Sequence, residues 1–304
     1  MGYMGKLTDD HLAHYVEEGF VVVEGGLTDD DLEPVIREYG DMVDKIARDL
    51  HSAGRISSLY EEEPFETRFA RMAEEDEATY HSDDDFDIGV TRMRGTFAVL
   101  RNKNLLDLVE EFVGPEIACN SISHIRAKFP SDASRQRQSN VAGWHQDAFF
   151  TTMEARDNLQ ITVWFPLCDA TEENGCLQVS PGIHKEETVF WGGTLEPNIR
   201  KVPVPMKKGD VIFMHKLTPH GSGENRTDGI RWSLDLRYQK SSEPLPRPEW
   251  PSIVARSRRD SAVETKYEDW RDAWAKALEE NPTQVRYEKP KEQQPYRGEM
   301  YLSE

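Results

Sequence analysis

Between about residues 120 and 240 the chain is a series of short β-type runs set apart by turn signals. This pattern limits the fold more than any other feature of the sequence. The runs are Ser121–Phe129, Gln160–Leu167, Cys176–Val179, Asp210–His215 and Ile230–Tyr238. Each is too short for a stable helix and is rich in residues that suit a pleated surface. Asn174-Gly175 is a strong short hairpin signal, and Lys207-Lys208-Gly209-Asp210 marks a second turn before an apolar strand. Many short strands at this spacing imply a sandwich or jelly roll.

The segments on either side read differently. Thr8 precedes a stretch with Leu12, Tyr15, Val16 and Phe20 at helical spacing, which Gly19 should end before the strand Phe20–Val23. Thr28 is an N-cap candidate, with Asp29, Asp30 and Asp31 at the positive end of the helix that follows. The stripe Leu32, Val35, Ile36, Tyr39, Met42, Val43, Ile46 and Leu50 continues it, and Pro34 falls early enough to be tolerated. Acidic stretches at 61–63 and 83–85 flank another helical segment, and Leu105–Phe112 forms a further one before Gly114-Pro115. Beyond residue 240 a Pro-rich connector leads to a helix carrying Tyr267, Trp270, Trp274 and Leu278, then to a polar tail expected along the surface. The expected fold is mainly β, a sandwich or jelly roll buttressed by N- and C-terminal helices. With no internal repeat, residues 1–304 read as one domain. It divides into a helical part to about 118, a β-core at about 119–240, and a helix and tail at about 241–304.

Charge and cysteine content narrow the function. The net charge of −19 repels phosphate backbones and anionic bilayers, so nucleic-acid and membrane-surface binding are not expected. No apolar run is long enough for a membrane span, and the first residues lack a signal-peptide core. Cys119, Cys168 and Cys176 form no CxxC pair and read as buried thiols of a reducing compartment, which points to the cytoplasm. The expected partner is a small-molecule substrate, with the chain a monomer or homodimer.

Chemistry concentrates at Gly143-Trp144-His145-Gln146-Asp147. His145 and Asp147, two residues apart, can project from the same side of an extended strand and bind one metal. A distal histidine would complete a two-His-one-carboxylate face, which leaves coordination positions open for a co-substrate and dioxygen. A loop histidine beside a solvated acid is the plain alternative. Among the distal histidines, His215 ends an apolar strand and reads as a core residue. His220 lies in a turn-rich segment, Thr218-Pro219-His220-Gly221-Ser222, where backbone freedom can aim a ligand. Farther on, period 2 puts Arg231, Ser233, Asp235 and Arg237 on one face of a strand and Trp232, Leu234 and Leu236 on the other. A polar face of that kind suits the lining of a site, where an arginine fork suits a carboxylate, with a surface salt-bridging strand as the plain alternative. Arg237, six residues beyond Arg231, is expected to lie too far along the strand to share its role.

These segments, with Trp164-Phe165-Pro166-Leu167, Glu173–Leu177, Pro181–Lys185 and Gly209-Asp210-Val211, resemble the phytanoyl-CoA dioxygenase family over roughly residues 7–240. That family consists of Fe(II)- and 2-oxoglutarate-dependent oxygenases, so the resemblance implies a mainly β fold with a double-stranded β-helix (a cupin-like jelly roll) as its core. The resemblance implies that His145, Asp147 and His220 hold Fe(II), and that Arg231 holds the distal carboxylate of 2-oxoglutarate with help from Ser222. Trp164 would lie near the co-substrate, with Gln160 and Thr162 on its strand face also at the pocket, and His124 and Arg126 contributing from the preceding strand. It further implies use of dioxygen, release of succinate and CO₂, and hydroxylation of a small molecule. Because Asp147 is present, no position is left for a halide. Desaturation or epimerisation can use the same iron site. A 2-oxoglutarate-independent cupin-like metalloenzyme and a non-catalytic binding protein are the remaining alternatives. Phe149 and Phe150 wall a pocket or join the core, and Arg256, Arg258 and Arg259 offer a local basic group for a phosphate-bearing substrate.

Overall fold

The computed structural model describes residues 6–76, 79, 86–131, 142–150, 155, 157–186, 191–193, 195 and 198–281. The acidic stretch at 83–85 and most of the polar tail, from 282 onward, lie outside them. In chain order the elements are α1 (Asp9–Glu18), β1 (Phe20–Val23), α2 (Asp29–Ser52), α3 (Phe65–Glu75), α4 (Ile88–Thr91), α5 (Arg94–Leu100), α6 (Lys103–Val113), β2 (Glu116–Cys119), β3 (His124–Lys128) and β4 (Trp144–His145). There follow β5 (Ile161–Pro166), β6 (Leu177–Val179), β7 (Trp191–Gly193), β8 (Val202–Val204), β9 (Val211–His215), β10 (His220–Ser222), β11 (Arg231–Lys240), β12 (Ile253–Ser257) and α7 (Tyr267–Glu280).

The strands form two antiparallel sheets, the layers of a jelly roll. The larger has the order β1-β9-β5-β11-β2-β12, with β3 also paired to β11, and the smaller the order β7-β4-β10-β6-β8. Strand β11 is long enough to pair with β5 along one edge while β3 and then β2 take turns along the other.

Local chemistry explains the helices. Thr8 and Thr28 both close capping boxes, and Gly19 ends α1 with φ 82°, in the left-handed region that glycine adopts without strain. The α2 stripe buries Leu32, Val35, Tyr39, Val43, Ala47 and Leu50. Val16, expected on the inner face of α1, is exposed instead. At Gly95, where α5 crosses α2, an added Cβ would lie 2.4 Å from the Pro34 carbonyl oxygen, so only glycine permits that approach. The helices pack on the outer face of the large sheet. Trp232 is fully buried there among Tyr39, Phe65, Phe69 and Phe86, with ring centroids 5.0–6.4 Å away. Trp270 and Trp274 anchor α7 to the same core. A second apolar cluster, including Leu177, Val179, Ile212 and Met214, lies between the two sheets.

Two sequence expectations change. The Asn174-Gly175 turn is present, with Gly175 at φ 80°, but it does not close a hairpin, because β5 and β6 belong to different sheets. The turn carries the chain from one layer to the other. The basic group near the C-terminus is also already paired. Arg256 contacts Asp107 and Glu110 at 2.8 and 2.9 Å, and Arg258 pairs with the same two acids, clamping β12 to α6. Two arginines neutralised in this way do not form an open phosphate site. The Arg259 side chain takes no part in this clamp, but its backbone N–H donates to Glu116.

Candidate metal centre

His145 and His220 face each other directly across the β4–β10 ladder, with ring centroids 4.2 Å apart. The sequence placed His220 in a turn, but it opens a strand. Gly221 makes this possible, since a Cβ there would lie 2.9 Å from the Ala142 carbonyl oxygen. Asp147 comes not from an extended strand but from a 3₁₀ turn, Asp147–Phe150, that follows the two-residue β4. The turn swings the carboxylate under both imidazoles. Oδ1 is 3.8 Å from His145 Nε2 and 3.9 Å from His220 Nε2, distances that leave room for an ion between them. Among the described residues these three form the one cluster able to hold a metal, their donor atoms all within 4.8 Å of one another.

Hydrogen bonds preset the ring orientation. His145 Nδ1 donates to the Gly143 carbonyl at 2.7 Å, and His220 Nδ1 donates to the Thr218 carbonyl at 3.0 Å. With Nδ1 so engaged, Nε2 is the nitrogen that faces Asp147 in each ring. Burial, with His220 nearby, lowers the His145 pKa to about 4, so its ring is neutral at pH 7. Burial alone would raise the Asp147 pKa. The Arg237 guanidinium outweighs it, with His220 and His145 adding to the effect, and holds the carboxyl well below the usual carboxylate range.

The centre lies at one side of a cavity of about 540 Å³ between the sheets, lined in part by Trp164, His220, Ser222 and Arg231. Arg231 is 3% exposed and has no ion pair among the described residues. Its Nη1 donates to Ser233 Oγ at 2.6 Å, its Nε has no hydrogen-bond partner among the described residues, and its guanidinium lies 5.2 Å from the centroid of the Trp164 ring. Burial, with nearby Arg126 adding to it, lowers its pKa to about 10, so it remains charged at neutral pH. Directly across the ladder is Lys128, fully buried, its Nζ donating to Ser222 Oγ and the Gly223 carbonyl, each at 2.8 Å.

Other expected residues divide. His124 lines the cavity and pairs with Asp87 at 2.9 Å; Arg126 and Phe150 line it as well. Thr162 lies behind the cavity wall, where its hydroxyl donates to Asp147 Oδ2. Gln160 and Phe149 are also absent from the lining; Gln160 accepts a hydrogen bond from Asn120 instead. The main addition to the sequence reading concerns Arg237. It is buried and lines the same cavity, with Nη2 2.8 Å from Asp147 Oδ1 and Nε 3.2 Å from Oδ2. The cavity runs along β11, with Arg231 at one end and Arg237 beside the metal cluster. Six residues of separation measure the length of the site rather than a distance from it.

Two antiparallel sheets enclosing a His-Asp-His cluster that could hold a metal, beside a buried arginine with no ion pair among the described residues, have the layout of a jelly-roll site of the two-His-one-carboxylate type. A sequence profile of the phytanoyl-CoA dioxygenase (PhyH) family matches residues 15–233. The chain belongs to this family, and so to the Fe(II)- and 2-oxoglutarate-dependent dioxygenases, a class of oxidoreductase. It is 26% identical over 253 residues to the peroxisomal phytanoyl-CoA dioxygenase of Mus musculus, covering 77% of this chain and 69% of that protein. Alignments with the Rattus norvegicus and Homo sapiens counterparts cover 44% and 43% of those proteins. Among solved structures, the non-heme alpha-ketoglutarate-dependent epimerase SnoN from nogalamycin biosynthesis has a similar fold, with TM-score 0.53 and 20% identity over 84% of this chain and 85% of that one. So does EctD from S. alaskensis, solved with 2-oxoglutarate and 5-hydroxyectoine, with TM-score 0.54 and 17% identity over 86% of each chain. No helix among the described residues is long and apolar enough to cross a membrane.

Proposed function

We propose that this protein hydroxylates a small molecule at an iron held by His145, Asp147 and His220, consuming 2-oxoglutarate and dioxygen. The observation that carries this reading is Arg231, a buried cation with no acidic partner among the described residues and an orphaned Nε, in the same cavity as the metal cluster. A buried guanidinium without a counter-ion is costly, so its retention suits a site for an anionic ligand. The donor set fits the metal: two neutral imidazoles and one carboxylate suit Fe(II) and leave positions for a chelating keto acid.

In this reading the bound iron, with keto acid and dioxygen, supplies the oxidising power to break a substrate C–H bond. The protein's own groups do the rest. Arg231 captures the distal carboxylate, the Trp164 ring covers the guanidinium, and Ser222, held by Lys128, presents its hydroxyl to the same end of the ligand. The Gly143 and Thr218 carbonyls keep both histidine rings in the ligating tautomer. The low pKa of Asp147 keeps it ionised throughout the working pH range. His124, paired to Asp87, shapes the wall of the cavity. The cytoplasm is proposed from the cysteines alone, while relatives such as the Mus musculus enzyme are named as peroxisomal.

The test is titration of 2-oxoglutarate into metal-loaded protein. Arg231→Lys keeps the charge but loses the planar fork, and should weaken binding by about tenfold or more, ~1.4 kcal/mol. Equal affinity in wild type and variant would remove Arg231 from the role.

A further inference from the structure

Asp147 has two oxygens, and the structure treats them differently. A carboxylate offers about four lone-pair sites, two on each oxygen. On Oδ2 both are taken, one by the Thr162 hydroxyl and one by Arg237 Nε at 3.2 Å. On Oδ1 one is taken by Arg237 Nη2 at 2.8 Å, and the other faces the Nε2 atoms of His145 and His220. Arg237 cannot drift from this pose. Its Nη1 is tied to Asp235 Oδ1 at 2.8 Å and donates to the Ile122 carbonyl at 3.2 Å. Asp147, Thr162 and Arg237 are all buried, so water does not compete for these bonds.

We infer that Arg237, with Thr162, is a positioning residue that makes Asp147 a one-oxygen metal ligand by withholding Oδ2. This rests on the metal reading above and deepens it. A carboxylate free to rotate would bind through both oxygens and occupy a position that the keto acid needs. The Asp235–Arg237 pair thus sets the number of open positions through Asp147, without itself ligating the metal. Its placement explains why an arginine sits behind a carboxylate that must also face a cation. The fork fixes both oxygens in one plane, which a lysine ammonium cannot do.

The test uses Co(II) in place of iron, because its visible absorption reports coordination without turnover. Spectra of the Co(II)-loaded wild type, Arg237→Met, Arg237→Lys and Thr162→Val are compared before 2-oxoglutarate is added. Affinity for 2-oxoglutarate at saturating Co(II) is then measured. The Arg237→Met spectrum should differ from wild type, with Arg237→Lys returning part of the way, and 2-oxoglutarate binding in Arg237→Met should weaken by about tenfold. Thr162→Val releases the same oxygen with little change in shape and should shift the spectrum in the same direction, should Arg237→Met fail to fold. Unchanged spectra in every variant, or an altered spectrum with undiminished 2-oxoglutarate affinity, would overturn the inference. A wild type that binds Co(II) but not 2-oxoglutarate would instead contradict the proposed function, and the spectra alone would still decide the role of Arg237.

Discussion

At the residue scale the candidate ligands differ in what they do before any metal arrives. Asp147 is 1% exposed and balances one side of Arg237, whereas His220 meets the Thr218 carbonyl, the His145 ring and, at 3.9 Å, Asp147 itself. Losing one member of a buried ion pair leaves a charge without its partner. Asp235 still faces Arg237, which moderates the effect. Asp147→Ala should therefore destabilise the metal-free protein by about 3 kcal/mol, while His220→Ala should cost much less. Urea denaturation of metal-free protein distinguishes the two, and equal midpoints would mean that the Arg237–Asp147 pair contributes nothing to folding. Both variants should lose metal-dependent turnover. The sequence showed the His-x-Asp pair, His220 and Arg231 through their spacing and order. It did not show Lys128, or the pairing of Arg237 with Asp147, because these contacts join residues 94 and 90 positions from their partners. No local pattern records a pairing of that kind.

At the scale of elements, the strands β1, β3, β5, β6, β9 and β11 were legible as β-type runs, unlike β2 and β12. The short strands β4, β7, β8 and β10, of two or three residues each, were not, since a period of 2 cannot be read from so few positions. Yet β4 and β10 carry both histidines. Helices with full caps and apolar stripes were clear, whereas α4 and α5 depend on packing against α2 and β3.

Another elemental feature is testable. His215, at the end of β9, packs against Tyr15 of α1 and His184 of the turn after β6, with ring centroids 6.4 and 5.4 Å away, and Lys216 follows it. Burial first, then His184 and Lys216, lowers its pKa to about 4. The unfolded chain takes up this proton near pH 6.5, so the folded state binds fewer protons between the two values. Stability is intact above about pH 6.5 and falls toward pH 4, by up to about 3 kcal/mol from this group. His215→Ala should be less stable than wild type at pH 7 and show a shallower loss from pH 6.5 to 4. Parallel pH profiles for the two proteins would contradict the assignment.

At the scale of the whole molecule, net charge misleads about the site. The chain carries −19, yet Arg126, Lys128, Arg231 and Arg237 line the cavity against Asp87 and Asp235. The local excess of positive charge suits a dianionic co-substrate, while the acidic exterior governs solubility and non-specific contacts. The two-layer architecture makes this separation possible: β11 turns its apolar face toward the helices and its charged face toward the cavity.

The most direct measurement of the central claim follows the oxygen atoms. When C1 of 2-oxoglutarate leaves as CO₂, C2 becomes a carboxyl group and requires one oxygen atom from O₂. Iron-loaded wild-type protein incubated with 2-oxoglutarate under ¹⁸O₂ should release succinate carrying one ¹⁸O atom, and His220→Ala should release none above free iron. Unlabelled succinate, or none from the wild type beyond the iron-only control, would contradict the account.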